Sequence, residues 1–92
     1  MSYRLIINDK AKTHLENWSR SGQKKTLLKI RQLFSELKEH PRTGTGKPEQ
    51  LRGDAAGYWS RRIDKKNRLV YSIHDDVVTV EVISAAGHYG NE

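Results

Sequence analysis

Three groups of residues in this 92-residue chain carry side chains able to move protons or to hold a phosphate. The first is Gly44-Thr45-Gly46-Lys47-Pro48-Glu49, which sets one carboxylate inside a basic, glycine-containing loop. It is not a Walker phosphate loop, because the glycine spacing differs and no Ser or Thr follows Lys47. Taken alone, Glu49 reads more simply as a surface charge balancing Lys47. The second group is Arg61, Arg62 and Arg68. Strand alternation sends Arg61 and Arg62 to opposite faces, so one of them can join Arg68 beside a phosphate while the other meets solvent or a partner. Cross-strand pairing with Asp64 or Glu81 is the competing fate. The third group is His88-Tyr89, preceded by the small residues Ala85, Ala86 and Gly87. Histidine titrates near neutrality and is the usual proton donor or acceptor, yet a residue in a chain tail earns no role by type alone. His14, His40 and His74 are scattered and read as surface residues. No His, Asp or Glu set has metal-ligand spacing and there is no cysteine, so neither a metal, a disulfide nor any other cofactor is expected.

The charge around these groups is uneven. The chain carries 17 Lys+Arg against 11 Asp+Glu, net +6. Residues 1–40 and 41–70 are each net +5, while residues 71–92 are net −4. The middle block holds Lys47, Arg52, Arg61, Arg62, Lys65, Lys66 and Arg68. Such a cluster is the electrostatic footprint of a polyanion binder, and arginine's planar fork matches phosphate. The helical lysines Lys24, Lys25, Lys29 and Lys38 read instead as a solvated face. No apolar run approaches the roughly 20 residues that cross a membrane, and Met1-Ser2-Tyr3-Arg4 opens no signal peptide. The expectation is a cytoplasmic protein with no membrane partner.

The elements that must position these residues follow from periodicity. Tyr3, Leu5 and Ile7 alternate as in a strand. Asn8 or Asp9 caps a helix on which Ala11, Leu15 and Trp18 recur, and Ser21-Gly22 breaks it. A second helix runs to about Glu39, with Leu27, Ile30, Phe34 and Leu37 on one stripe, Leu33 widening it and Pro41 ending it. Arg42 to Gly57 has no period and reads as a loop, at a length that is seldom incidental. Three strand-like runs follow, Tyr58 to Ile63, Arg68 to His74 and Val77 to Ala85, joined by turns at Asp64–Asn67 and Asp75-Asp76. The outcome is one α+β domain over residues 1–92, in the order β-α-α-β-β-β, with a helical hairpin on a mainly antiparallel sheet. Tyr58 and Tyr89 are suited to stacking on a base, although the sheet core is an equal destination for one of Tyr58 and Trp59.

The same residues carry a resemblance. Gly46-Lys-Pro-Glu-Gln-Leu51, Gly57-Tyr-Trp-Ser-Arg-Arg-Ile63, Arg68-Leu-Val-Tyr71 and His88-Tyr89 resemble the YoeB/Txe branch of the RelE-like toxins, small basic ribonucleases of bacterial toxin–antitoxin modules. The resemblance spans nearly the whole chain and implies a RelE-like, microbial-RNase-like fold with a twisted sheet. It implies entry into the ribosomal A site and metal-independent cleavage of mRNA there. It places the family's catalytic glutamate on Glu49, arginine on Arg68, histidine on His88 and C-terminal tyrosine on Tyr89. Arg52, Lys47 and Arg62 fall on further basic positions, suited to phosphate. The implied partners are the ribosome and mRNA, a cognate acidic YefM-like antitoxin, and operator DNA through that antitoxin; a toxin dimer is a further option. The chain departs from the pattern by continuing Gly90-Asn91-Glu92 past the His-Tyr pair. The alternative is a non-catalytic nucleic-acid-binding or antitoxin-binding co-repressor subunit of the same fold.

Overall fold

The computed structural model describes residues 2–87. Strand β1 (Arg4–Ile7) turns its odd-numbered side chains inward, and Asn8 then starts helix α1 (Asp9–Ser21). The Asn8 side-chain oxygen accepts a 2.9 Å hydrogen bond from the Ala11 amide, satisfying one of the donors that a helix leaves open at its start. Gly22, at φ 76°, ends α1 in the left-handed conformation that a side chain would resist. Helix α2 (Lys24–Glu39) follows and buries Ile30, Leu33 and Leu37. Leu33, which only widened the expected stripe, lies at its centre with no exposure, while Leu27 and Phe34 are half-buried at its edge.

Four more strands complete one sheet: β2 (Glu49–Gln50), β3 (Trp59–Arg62), β4 (Arg68–His74) and β5 (Thr79–Ser84), in the spatial order β1-β5-β4-β3-β2. All neighbours are antiparallel except β1 and β5, which run parallel with Arg4 opposite Thr79. Both helices lie on one face, where Ala11, Leu33, Leu37, Leu69, Tyr71, Val80 and Val82 form the fully buried centre of the core. The α+β class, the helical pair and the mainly antiparallel sheet agree with the sequence reading.

Two segments depart from it. The stretch expected to be all loop contains β2, a two-residue strand, and a short 3-10 turn at Gly53–Ala55. The last strand begins at Thr79 rather than Val77, because residues 75–77 form a 3-10 turn and Val78 sits at φ 47°. That left-handed angle is rare for a β-branched residue; here Val78 accepts the Arg4 amide through its carbonyl, at 2.8 Å, and so ties the turn to β1.

Candidate active site

The register of the sheet decides which polar side chains meet. Ser60 faces Glu49 on one side and Val70 on the other, and Arg62 faces Arg68. Directly opposed residues share a face, so Glu49, Ser60, Arg62 and Arg68 occupy the surface turned away from the helices. Trp59 and Arg61, one residue out of phase, point into the helical side. Tyr58 precedes Trp59 by one residue and is half-buried, its carbonyl accepting the Leu51 amide at 2.9 Å.

At the start of β4, Arg68 links these side chains. Its Nη1 donates to Ser60 Oγ at 3.2 Å and lies 3.7 Å from Glu49 Oε1. The second distance is an ion pair but too long for a hydrogen bond, so the Glu49 carboxylate keeps its lone pairs for another donor. Glu49 is about half exposed, at 55% of its side chain, and Arg68 is mostly covered, at 21%. An anchored cation thus stands beside an accessible carboxylate. Next to it opens a cleft of about 650 Å³ lined by Glu49, Gln50, Leu51, Arg52, Ala56 and Gly57. Arg52 and Lys47 are exposed on the same loop, Lys47 at a left-handed φ of 51°. The structure therefore gathers Glu49, Arg52, Arg62 and Arg68 around one edge of the sheet, with Lys47 two residues from Glu49 along the chain.

His88 and Tyr89 lie outside the described residues. The chain just before them is firmly held. The Arg68 amide donates to the Gly87 carbonyl at 2.9 Å, and the Gly87 amide donates to Asn67 Oδ1 at 2.8 Å. Trp18 Nε1 donates to the Ala85 carbonyl at 2.8 Å, and the Ala85 amide to His14 Nδ1 at 3.0 Å. His14, read from sequence as a surface residue, is thus half-buried and carries a structural bond; burial, helped by Lys10, pushes its pKa below the usual imidazole value.

Arg61 takes neither competing fate that alternation suggested. It has no exposed surface and pairs with Glu36 of α2 at 2.6 Å, not with Asp64 or Glu81. Asp64 instead closes its own turn by accepting the Lys66 and Asn67 amides at 2.8 and 2.7 Å. Burial pushes the Glu36 carboxyl up, but hydrogen bonds from the Thr45 hydroxyl and amide, Arg61 and Gln32 outweigh it and hold the pKa at about 2. Ser60 and Glu36 went unnoticed in the sequence. The available signal for Glu36 was its helical spacing, three residues past buried Leu33.

Comparison with known proteins shows the family of the chain. A family profile described as the YoeB-like toxin of bacterial type II toxin–antitoxin systems matches residues 8–89. Toxin RelK of Mycobacterium tuberculosis is 46% identical over 69 residues, covering 75% of this chain and 79% of the relative. A YoeB/ParE toxin from Agrobacterium tumefaciens superposes with a TM-score of 0.86 at 38% identity, covering 94% of this chain and 99% of that one. The toxin in a YoeB–YefM complex from Staphylococcus aureus superposes with a TM-score of 0.78 at 29% identity, over 97% of this chain and all of that one (100%). From residues 8–89 of the sequence to the RelE-like sheet, this chain belongs to the YoeB-like toxins of bacterial type II toxin–antitoxin systems.

Proposed function

We propose that the chain is an endoribonuclease that cuts mRNA in the ribosomal A site and so stops translation. The observation that carries this reading is the juxtaposition of Glu49 and Arg68 at 3.7 Å, on a basic sheet face beside an open cleft. Cutting RNA by its own 2′-hydroxyl needs a group to take that proton, cations to hold the phosphate as charge builds, and an acid to protonate the departing 5′-oxygen. Glu49 is assigned to take the proton. Arg68, with Arg52 on the cleft wall, supplies fixed positive charge at the phosphate. His88 follows directly on Gly87, which is bonded to the Arg68 backbone, and is assigned as the acid, with Tyr89 beside it in sequence. Each proton transfer contributes about 10²–10⁴ in rate. Lys47 and Arg62 extend the cationic track, and Tyr58 flanks it as a stacking surface.

The balanced step forms a bond from the 2′-oxygen to phosphorus, breaks the bond to the 5′-oxygen, and moves one proton to Glu49 and one from His88. The products are a 2′,3′-cyclic phosphate, or the 3′-phosphate it hydrolyses to, and a 5′-hydroxyl. The cognate antitoxin, as in the YoeB–YefM complexes of the Staphylococcus aureus relatives, is a YefM-like protein whose acidic segment covers the basic face. The complex represses its own operon through the antitoxin's hold on operator DNA. The protein works in the cytoplasm, where the translating ribosomes are, and a toxin dimer has a parallel in the Staphylococcus aureus YoeB dimer. The test is to map both new ends of mRNA on translating ribosomes. Cyclic or 3′-phosphate and 5′-hydroxyl ends are expected, with cleavage lost on 2′-deoxy substitution at the cut and in His88→Ala. Recovery of 5′-phosphate ends refutes the mechanism, and ribosome binding without any cleavage supports a non-catalytic subunit instead.

A further inference from the structure

Arg61 is a fully buried guanidinium at the back of the candidate site, and every one of its five N–H donors has a partner. Nε donates to the Tyr71 hydroxyl at 3.2 Å. Nη1 donates to Glu36 Oε1 at 2.6 Å and to the Thr45 carbonyl at 3.3 Å. Nη2 donates to the carbonyls of His40 and Thr43 at 2.7 and 2.6 Å. Three of the five partners are therefore carbonyls of the turn that leaves α2, and a fourth, Glu36, stands in the last turn of that helix. The same turn is gripped from the helix, since Glu36 accepts the Thr45 amide at 2.8 Å and the Thr45 hydroxyl at 2.7 Å. Tyr71 adds a bond from its hydroxyl to the Pro41 carbonyl at 2.8 Å.

The next residue of β3 holds the next part of the loop. The Arg62 amide donates to the Gly46 carbonyl at 2.7 Å. The approach is so close that a Cβ on Gly46 would stand 2.8 Å from the Arg62 carbonyl oxygen, and one on Gly44 would strike Glu36 Oε1. Three residues beyond Gly46 the loop delivers Glu49 to its place opposite Ser60. A buried ion pair is weak evidence of stabilisation, because a well-packed apolar pair of similar volume does as well. What an apolar pair cannot do is hold three loop carbonyls and a loop amide at fixed places. We infer that Arg61 and Glu36 are positioning residues: they latch residues 40–45 between α2 and β3, and so fix the distance between Glu49 and Arg68. This rests on the proposed ribonuclease reading for its catalytic consequence, not for the latch itself.

The test pairs Glu36→Gln, and the milder Thr45→Val, with Glu49→Gln in single-turnover cleavage of mRNA on purified ribosomes. Glu36→Gln is expected to slow cleavage about tenfold at saturating ribosomes, and Thr45→Val about threefold, with the half-saturating ribosome concentration changed less than twofold. In the Glu49→Gln background both losses should shrink to near onefold, because the latch acts through Glu49. Hydrogen exchange supplies a second reading: the Thr45 and Arg62 amides should exchange at least tenfold faster in Glu36→Gln, with Val80 and Val82 unchanged. Should Glu36→Gln not fold, Thr45→Val carries the same comparison. Equal losses with and without Glu49, or exchange at Thr45 and Arg62 as slow as in the parent protein, overturns the proposal. So does faster exchange at Val80 and Val82, which marks general loosening. A parent protein that cuts no mRNA refutes the ribonuclease reading, while the exchange measurement still decides the latch.

Discussion

Arg68 stands between a neighbour that anchors it and one that leaves it room. Ser60 Oγ accepts from its Nη1, and Ser60 itself has no exposed surface, so the hydroxyl serves the guanidinium and not solvent. Glu49, at 3.7 Å, is near enough to feel the charge without being tied by a hydrogen bond. Ser60→Ala is expected to slow mRNA cleavage about 3–10-fold, in line with the ~1 kcal/mol of one such bond, with unfolding free energy changed by less than about 1 kcal/mol. Paired kinetic and denaturant titrations check both halves. Ser60 was not legible in the sequence, because a serine in a strand has no type-specific chemistry until its cross-strand neighbours are known. Arg62 and Arg61 were half legible: alternation separates them, but which one enters the core depends on Trp59 and Ile63 sharing Arg61's face. The partner, Glu36, lies on a helix that no local pattern links to β3.

At the scale of elements, the turn of α1 that carries His14 and Trp18 and the turn that carries Asn67 act together as a clasp on residues 85–87. His14 accepts the Ala85 amide through Nδ1, which requires that nitrogen to be unprotonated. Folding lowers its pKa, by burial first and by Lys10 second. The folded chain therefore binds this proton more weakly than the unfolded one, and the contribution to stability is present above the ordinary imidazole range and lost as pH falls through it. The protection factor of the Ala85 amide, its exchange corrected for the slower intrinsic rate at low pH, is expected to be smaller at pH 5 than at pH 7, and His14→Gln should remove that difference. Two-dimensional NMR exchange at both pH values checks it. Long periodic segments such as α1, α2 and β4 were readable because burial of one face repeats over several turns or alternations. Strand β2 was not, since two residues carry no period and it exists only because β3 offers an edge. Val77-Val78 misled for the opposite reason: two β-branched residues look like strand, but the turn after β4 needed a left-handed residue there.

For the whole molecule, the uneven charge evident in composition becomes a surface. Arg62 and Arg68 stand side by side on one sheet face, and Arg52 and Lys47 are exposed on the adjoining loop. Arg62→Gln should weaken binding to a single-stranded RNA oligonucleotide and lower the magnitude of its log–log salt slope by about 0.7–1. Fluorescence anisotropy from low to moderate salt checks it, and Lys24→Gln on the distant helix should leave the slope in place. The order of strands has one more consequence, and it concerns the making of the protein. Strand β5 lies between β1 and β4, so Arg4 meets its partner Thr79 only through the strand that comes last among the described residues. Such long-range pairing forms late, after the cost of closing most of the chain. Until β5 is made, β1 has no partner and β4 has a bare edge, so the sheet behind Glu49 and Arg68 is completed only when residues 4–7 and 79–84 meet.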